Sequence, residues 1–376
     1  MKPRRVLVFT ETALALSETF IAAHCRALQG YDYTLVALHS SGDNHGDVPR
    51  HLIFPHGKPN AVSRLAFRLG LSRRLDDLIA TIRPDIIHAH YLTNGAFLAP
   101  YAKRHGIPLV VTAHGHDVTR VLRANSAYDQ LYRLQRARLI RNAALILPVS
   151  NFLREQLLAR GFPPSRTRTH YLGIPLTNDP PVDAGNSPPR IVFAGRLVAK
   201  KGIDTVLEAF ALVLLTRPDA ELHIVGDGPL RPLVESRAIQ TPRIIIHGAQ
   251  SPERTQEIMA SARLATLPSR PAQDGDVEGF GLVLIEAQAL GVPVVTSNTG
   301  GTTEALVDGE TGLTIDPTSS AELARAFLEL IDNPARARSM GLTAHRFVRE
   351  NFDIRRQSLA LEQLYDEVIQ TREAAA

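Results

Sequence analysis

Two glutamates eight positions apart, Glu278 and Glu286, enclose a Gly-Phe-Gly turn and an apolar run, Glu278-Gly279-Phe280-Gly281-Leu282-Val283-Leu284-Ile285-Glu286. In one continuous helix that spacing would turn the two carboxylates about 80° apart, at roughly 100° per residue. A helix opening at Gly281 frees Glu278 from that register and leaves Glu286 in its second turn. Glycines let backbone amides approach a ligand closely, and the first turn of a helix favours an anion. A second stretch, Ala194-Gly195-Arg196-Leu197-Val198-Ala199-Lys200-Lys201-Gly202, also leaves an apolar run and enters a helical pattern. Arg196 and Lys201 there can neutralise a diphosphate without a metal. It is not a Walker loop, because the spacing and the Lys-Ser/Thr ending are missing. Two readings stand for these stretches: solvated charges at ordinary strand-to-helix crossovers, or an anion site with a carboxylate on either side of it.

Other stretches carry weaker signals. Gly226-Asp227-Gly228-Pro229 reads as a tight turn, and Gly300-Gly301-Thr302-Thr303-Glu304 brings amides and a carboxylate to a strand end. His88, His90, His114, His116 and Asp117 are two His-x-His pairs and an acid at neighbouring strand ends. They suggest either a metal set or neutral hydrogen-bond partners for a sugar or phosphate. Asp274-Gly275-Asp276 is read as a solvated loop. Ser17-Glu18-Thr19-Phe20 follows the first strand and is placed to cap a helix or touch a second substrate. Between Lys58 and Arg74, five basic residues interleave with Val62, Leu65, Phe67, Leu69 and Leu71. That pattern fits a helix with its apolar face on the core, or one lying on an anionic membrane surface.

The elements that must position these residues alternate from end to end. Strands are expected at 5–9, 33–38, 85–88, 109–112 and 144–148, with helices at 18–29, 61–82, 94–104, 128–142 and 151–159. The Pro- and Gly-rich stretch 173–190 reads as a linker. Strands then resume at 190–194, 220–225, 243–247, 264–267 and 293–296, with helices at 203–215, 230–238, 252–260, 282–290 and 321–331. The fold class is α/β: two doubly wound, Rossmann-like parallel-sheet domains, at 1–178 and 179–352, facing a cleft. A terminal helix at about 353–376 is expected to return to the first domain.

Composition sets bounds. The 376 residues are 44% hydrophobic and 21% charged, which fits a globular chain long enough for two cores. A net charge of +4 is too small to argue for nucleic acid, and no nucleic-acid motif accompanies it. Cys25 is the single cysteine, so a disulfide framework is excluded and a reducing compartment expected. No run of eighteen apolar residues marks a membrane span. The expected location is cytoplasmic, with peripheral attachment at the inner membrane face.

With these positions assembled, the chain resembles a family 4 retaining glycosyltransferase of the GT-B fold. Its EGFGLVLIEAQALGVPVV phrase holds the family's Glu-x7-Glu, and Gly195, Arg196, Lys201 and Gly202 match its Gly-Arg…Lys-Gly. Gly300, Gly301, Glu304, Gly309, Thr311, Gly312 and Leu313 match a third motif, with Thr302-Thr303 in place of the usual apolar-Pro pair. SETF at 17–20 and TAHGHD at 112–117 resemble the branch that builds bacterial exopolysaccharides. The resemblance implies that Arg196 and Lys201 bind the donor diphosphate and that Glu286 holds the ribose. It implies that Glu278 contacts the donor sugar, with the amides of Phe280, Gly281 and Leu282 near the phosphate. His114 would face the donor sugar, His247 would lie near the base, and Ser17, Glu18, Thr19, His116 and Asp117 would serve the acceptor. The donor would be GDP-mannose or a UDP-hexose, the acceptor a saccharide on a polyprenyl diphosphate, and no cofactor or metal would be required.

Three rivals stand beside this reading. A metal-dependent hydrolase would use the histidines and Asp117. A non-catalytic sugar-binding protein would share the donor site without turnover. A dinucleotide oxidoreductase needs Gly-x-Gly-x-x-Gly after the first strand, where this chain has Phe9-Thr10-Glu11-Thr12-Ala13-Leu14.

Overall fold

The structure is a computed structural model that describes residues 3–13, 19–40, 50–55, 57–120, 122 and 126–374. It divides into unit 1, Met1–Pro175 with Ile354–Ala376, and unit 2, Leu176–Asp353.

Unit 1 runs β1 (Arg4–Ala13), α1 (Thr19–Ala27), β2 (Tyr31–Ser40), β3 (Arg50–Leu52), α2 (Ala61–Arg68), α3 (Arg73–Ile82) and β4 (Ile86–His90). It continues through α4 (Leu92–Arg104), β5 (Leu109–Ala113), α5 (His116–Thr119), α6 (Ala127–Asn142), β6 (Ala143–Pro148) and α7 (Asn151–Ala159). All strand pairs are parallel, in the order β3-β2-β1-β4-β5-β6. The central strands are apolar on both faces, β4 and β5 being buried at every position, as a sheet covered by helices on both sides requires.

Unit 2 runs β7 (Arg190–Ala194), α8 (Ile203–Leu214), β8 (Glu221–Val225), α9 (Arg231–Gln240), β9 (Ile244–Gly248), α10 (Pro252–Ala260) and β10 (Leu264–Leu267). It closes with α11 (Leu282–Ala289), β11 (Val294–Ser297), β12 (Gly312–Ile315), α12 (Ser320–Asp332) and α13 (Pro334–Asn351). Its parallel order, β12-β11-β10-β7-β8-β9, is that of unit 1 read from the other side. Strand order reverses between β1 and β4 in unit 1 and between β7 and β10 in unit 2. Ligands of such sheets sit beyond the strand carboxyl ends at that switch point.

The last helix, α14 (Ile354–Glu373), belongs to unit 1. It lays Leu361, Tyr365 and Ile369 into a core shared with Val6, Val8, Ile21 and Cys25. Each such side chain contributes about 1.5–3 kcal/mol by burial. Glu362 accepts from the backbone of Gly30 at 2.9 Å, and Asp366 pairs with Arg4 at 2.7 Å.

Four expectations need correction. The helix expected over 61–82 is two helices, because the chain turns at Gly70 (φ +82°), where a Cβ would lie 2.6 Å from Pro100 Cβ. The short strands β3 and β12 were not anticipated. Arg-His-Leu carries no strand signal, and β12 opens on a glycine. The stretch 173–190 is only briefly a linker. Ala184 is fully buried in a 3-10 turn, and Arg338 of α13 donates to Asp183 at 2.8 Å. Finally, Asp276 is not solvated: it is 8% exposed and ion-paired with Lys200 at 2.8 Å.

Candidate active site

Unit 2 carries Arg196, Lys201, Glu278, Phe280, Gly281, Leu282 and Glu286 on the segments that follow its switch-point strands β7 and β10, while His247 lies on the edge strand β9. The loop after β7 carries Arg196, Lys200 and Lys201, and the loop after β10 carries Asp276 and Glu278. Gly202 brings the two together. It has φ +70°, and a Cβ there would fall 2.1 Å from the Pro268 carbonyl oxygen. Lys201 Nζ then reaches Glu278 Oε2 at 2.6 Å, with the two side chains 16% and 13% exposed. Desolvation alone would raise the Glu278 pKa. The charges of Lys201 and Lys200 and the Lys201 hydrogen bond outweigh it, so the carboxyl lies below its ordinary range. Arg196 is exposed and has no ion-pair partner among the described residues.

The Gly300-Gly301 turn fixes Glu278 from the other side. Gly301 N donates to the Glu278 carbonyl at 2.9 Å, and Gly300 (φ +63°) leaves only 2.6 Å between a would-be Cβ and that same oxygen. The unusual Thr302 explains itself here. It is fully buried, with Oγ1 within 2.9 Å of Ser297 O and 2.6 Å of Thr299 O, so its hydroxyl ties the turn to the end of β11. Gly226 and Gly228, taken as a plain turn from sequence, hold the Arg196 loop. Leu197 N donates to Asp227 O at 2.9 Å, and a Cβ on Gly226 would overlap Gly195 O at 1.9 Å.

Gly281 (φ +90°) is the N-cap of α11, as the glycine turn suggested. Phe280 is 3% exposed and packs on Phe352 with ring centroids 5.3 Å apart. That contact commits the ring to packing within unit 2. Glu286 is half-buried in the second turn of α11 and has no ion-pair or hydrogen-bond partner among the described residues. Desolvation alone raises its pKa to about 6. A partly desolvated, unpaired carboxylate is poised to accept from hydroxyls.

In unit 1 the histidines stand at the carboxyl ends of β4 and β5. His114 Nε2 and His90 Nδ1 are 3.0 Å apart, and Phe20 and Tyr91 pack on the His114 ring at centroid distances of 5.1 and 4.7 Å. Desolvation, with the neighbouring His88 and His24, lowers the His114 pKa to about 3. His88 is committed elsewhere, with Tyr365 Oη 2.5 Å from Nδ1 and Thr112 Oγ1 2.7 Å from Nε2. Asp117 accepts from the amides of Leu92 (2.7 Å), His114 and Gly115 (both 3.0 Å), so it shapes the His114 loop. His116 is exposed. Among the described residues no group of three or more His, Cys, Asp or Glu side chains converges as a metal set. Ser17 and Glu18 lie outside the described residues, and Thr19 begins α1.

Sequence reasoning missed Tyr91, whose φ of +74° at the unit 1 switch point is strained for a residue with a Cβ. It also missed the Lys200–Asp276 pair and the contact of His247 Nε2 with His223 Nδ1 at 3.0 Å. Asp276, Lys200 and His247 had been noticed one by one, but not their partners. These contacts gain meaning only once the strands are side by side.

Two six-stranded units of one strand order, each with polar residues at its switch point, define an α/β protein of the GT-B class. Solved structures agree. Sucrose-phosphate synthase from Thermosynechococcus elongatus aligns over 98% of this chain and 100% of its own, with TM-score 0.79 and 20% identity. Anabaena HepE in complex with UDP and glucose aligns over 97% and 100%, with TM-score 0.75 and 18% identity. Among curated proteins, the GDP-mannose-dependent alpha-(1-6)-phosphatidylinositol monomannoside mannosyltransferase of Mycolicibacterium smegmatis is 29% identical over 296 residues, 74% of this chain and 75% of that one. Two family models match in succession: "Glycosyltransferase Family 4" over residues 17–178 and "Glycosyl transferases group 1" over 177–347. The chain belongs to this glycosyltransferase family.

Proposed function

We propose that the protein is a retaining hexosyltransferase that moves a hexose from a nucleotide diphosphate sugar to a saccharide acceptor. The observation that carries this is the switch point of unit 2. Arg196 is uncompensated there, Lys201 is held by Glu278, and Glu286 waits unpaired on α11. Arg196 and Lys201 bind the diphosphate and stabilise the charge that grows on it as the sugar leaves. Glu278 contacts the sugar, Glu286 the ribose hydroxyls, and the amides of Phe280, Gly281 and Leu282 a phosphate oxygen. The acceptor hydroxyl attacks the anomeric carbon on the face from which the diphosphate departs. The carbon–oxygen bond to the diphosphate breaks, and a leaving-phosphate oxygen takes the hydroxyl proton. No separate general base is then needed. The cations carry the countercharge, so activity is expected to survive chelation.

Unit 1 supplies His114 and the acceptor residues, with Ser17, Glu18, Thr19 and His116 as contacts and Asp117 as the group that holds their loop. HepE is described in complex with UDP and glucose, and the mycobacterial relative is named GDP-mannose-dependent. Both donor classes remain in the proposal. The surface of α2 supports a lipid-linked acceptor, such as a polyprenyl diphosphate saccharide used in exopolysaccharide synthesis. Val62 and Leu65 of α2 are 77% and 51% exposed and Leu71 in the turn after it 64%, beside basic side chains, which suits peripheral contact with an anionic membrane face. Among the described residues no helix is long and apolar enough to cross a membrane.

The test is incubation of the purified protein with UDP- and GDP-hexoses and a membrane saccharide-lipid fraction, with chelator present. Sugar transfer lost in Arg196→Ala and Lys201→Ala supports the proposal. Binding without turnover would favour the non-catalytic sugar-binding reading, and activity intact in both variants would overturn the site assignment.

A further inference from the structure

The loops after β7, β8 and β9 lie side by side. Gly195 N donates to Val225 O at 2.9 Å, and Gly226 N donates to Gly248 O at 2.8 Å. At this edge the β8–β9 register slips: Ile224 pairs with Ile246, but Val225 pairs with Gly248, so His247 is an extra residue. Such a bulge re-aims the side chain it carries. His247 Nε2 meets His223 Nδ1 at 3.0 Å, and His223 Nε2 meets Glu221 Oε2 at 3.3 Å. Glu221 and His223, two apart on one strand, share a face.

Proton placement along this chain follows from its carboxylate end. Glu221 Oε2 also accepts from Arg190 Nε at 3.2 Å and Nη2 at 2.9 Å, and Arg243 stands 3.8 Å from its other oxygen. The Arg190 hydrogen bonds hold its pKa low, so the carboxylate is ionised and only accepts. Desolvation lowers the pKa of both histidines, helped by the Arg190 charge at His223 and by the Arg254 and then Arg190 charges at His247, so the neutral ring is favoured in each. Each ring therefore has one proton. His223 must carry its proton on Nε2 to serve Glu221, which makes its Nδ1 an acceptor. His247 must then donate from Nε2, and its Nδ1 is left as a bare lone pair without a partner among the described residues.

We propose that the Glu221–His223–His247 chain presents a fixed hydrogen-bond acceptor, His247 Nδ1, to the base of the donor nucleotide. It selects bases with a ring amide N–H, guanine (N1–H) or uracil (N3–H). Adenine N1 and cytosine N3 carry lone pairs at the matching atom and would oppose it. The inference rests on the transferase reading, because it needs a nucleotide at this strand edge. Glu221 and His223 are positioning residues that act through His247.

The experiment is nitrogen-15 NMR of the histidine rings, first without ligand and then during titration with UDP, GDP, ADP and CDP. The ligand-free spectrum should show His247 protonated on Nε2 alone. UDP or GDP should move its Nδ1 resonance and bind at least fivefold tighter than ADP or CDP. In Glu221→Gln and His223→Phe, His247 should become a mixture of tautomers and the preference should shrink about fivefold, the worth of one net hydrogen bond. His247 protonated on Nδ1, or tight UDP or GDP binding that leaves His247 unmoved, would overturn the inference and leave the transferase reading intact. Failure of every nucleotide to bind would overturn both.

Discussion

Replacing Glu278 with Gln separates what that carboxylate does for the fold from what it does for the reaction. The Lys201–Glu278 contact is 2.6 Å, with both side chains less than a fifth exposed. A unit charge pair about 4 Å apart at an effective dielectric of about 20 is worth about 4 kcal/mol. Desolvation of both ions takes back most of that. The glutamine oxygen still accepts from Lys201, so the variant should be destabilised by about 1–2 kcal/mol at pH 7. Folding lowers the Glu278 pKa. Its contribution is therefore complete above the unfolded carboxyl value and lost as pH falls through the folded one. The gap between wild type and variant should close below about pH 4, as urea denaturation at pH 7 and pH 3 would show. In the variant Lys201 no longer answers to an internal carboxylate, so calorimetry should find UDP or GDP bound several-fold tighter. Turnover should fall by about two orders of magnitude, because the sugar contact is gone. An equal gap at both pH values would refute the pairing argument. Unchanged turnover would refute the assignment of Glu278 to the sugar.

Glu286→Gln should do the reverse on stability. The folded pKa of about 6 is raised by desolvation, so the wild-type carboxylate is a burden that grows from about pH 4.5 and is complete above about pH 6. The variant should gain about 1 kcal/mol at pH 7.5 and nothing at pH 4, while nucleotide affinity drops about tenfold in the same calorimetric assay. Gly202→Ala should cost about 3 kcal/mol or more, given the 2.1 Å approach to Pro268 O and φ of +70°, and should abolish nucleotide binding; wild-type urea stability would contradict the close approach. His114, with a pKa of about 3, stays neutral across the working range. The pH–rate profile should show no histidine limb between pH 5 and 8, and a His114→Ala variant should lose activity without changing the profile's shape.

Much of the fold was legible in sequence because parallel sheets announce themselves. Runs such as Val6–Phe9 and Ile191–Ala194 are apolar on both faces and alternate with helical periods. What the pattern could not show lies where tertiary contacts decide. Gly70 breaks a helix because Pro100 stands against it. Residues 173–190 look like a linker, yet Asp183 within them is anchored on Arg338 of α13, since Pro and Gly describe backbone habit and not burial. In the site, Arg196, Lys201, Glu278 and Glu286 were marked by type and spacing, and the structure brings Lys201 and Glu278 into contact. Asp276 was misread as solvated because nothing in Asp-Gly-Asp reveals that Lys200 would reach it. Tyr91, Glu221 and His223 carry no local signal at all. Their significance comes from a positive φ, a register slip and a neighbour on the next strand.

The central claim is that this site transfers a hexose with its anomeric configuration kept. Proton NMR of the anomeric region of product formed from an α-linked UDP- or GDP-hexose tests it most directly. Retention gives an α-linked sugar on the acceptor from the first turnovers; a β-linked product would contradict it.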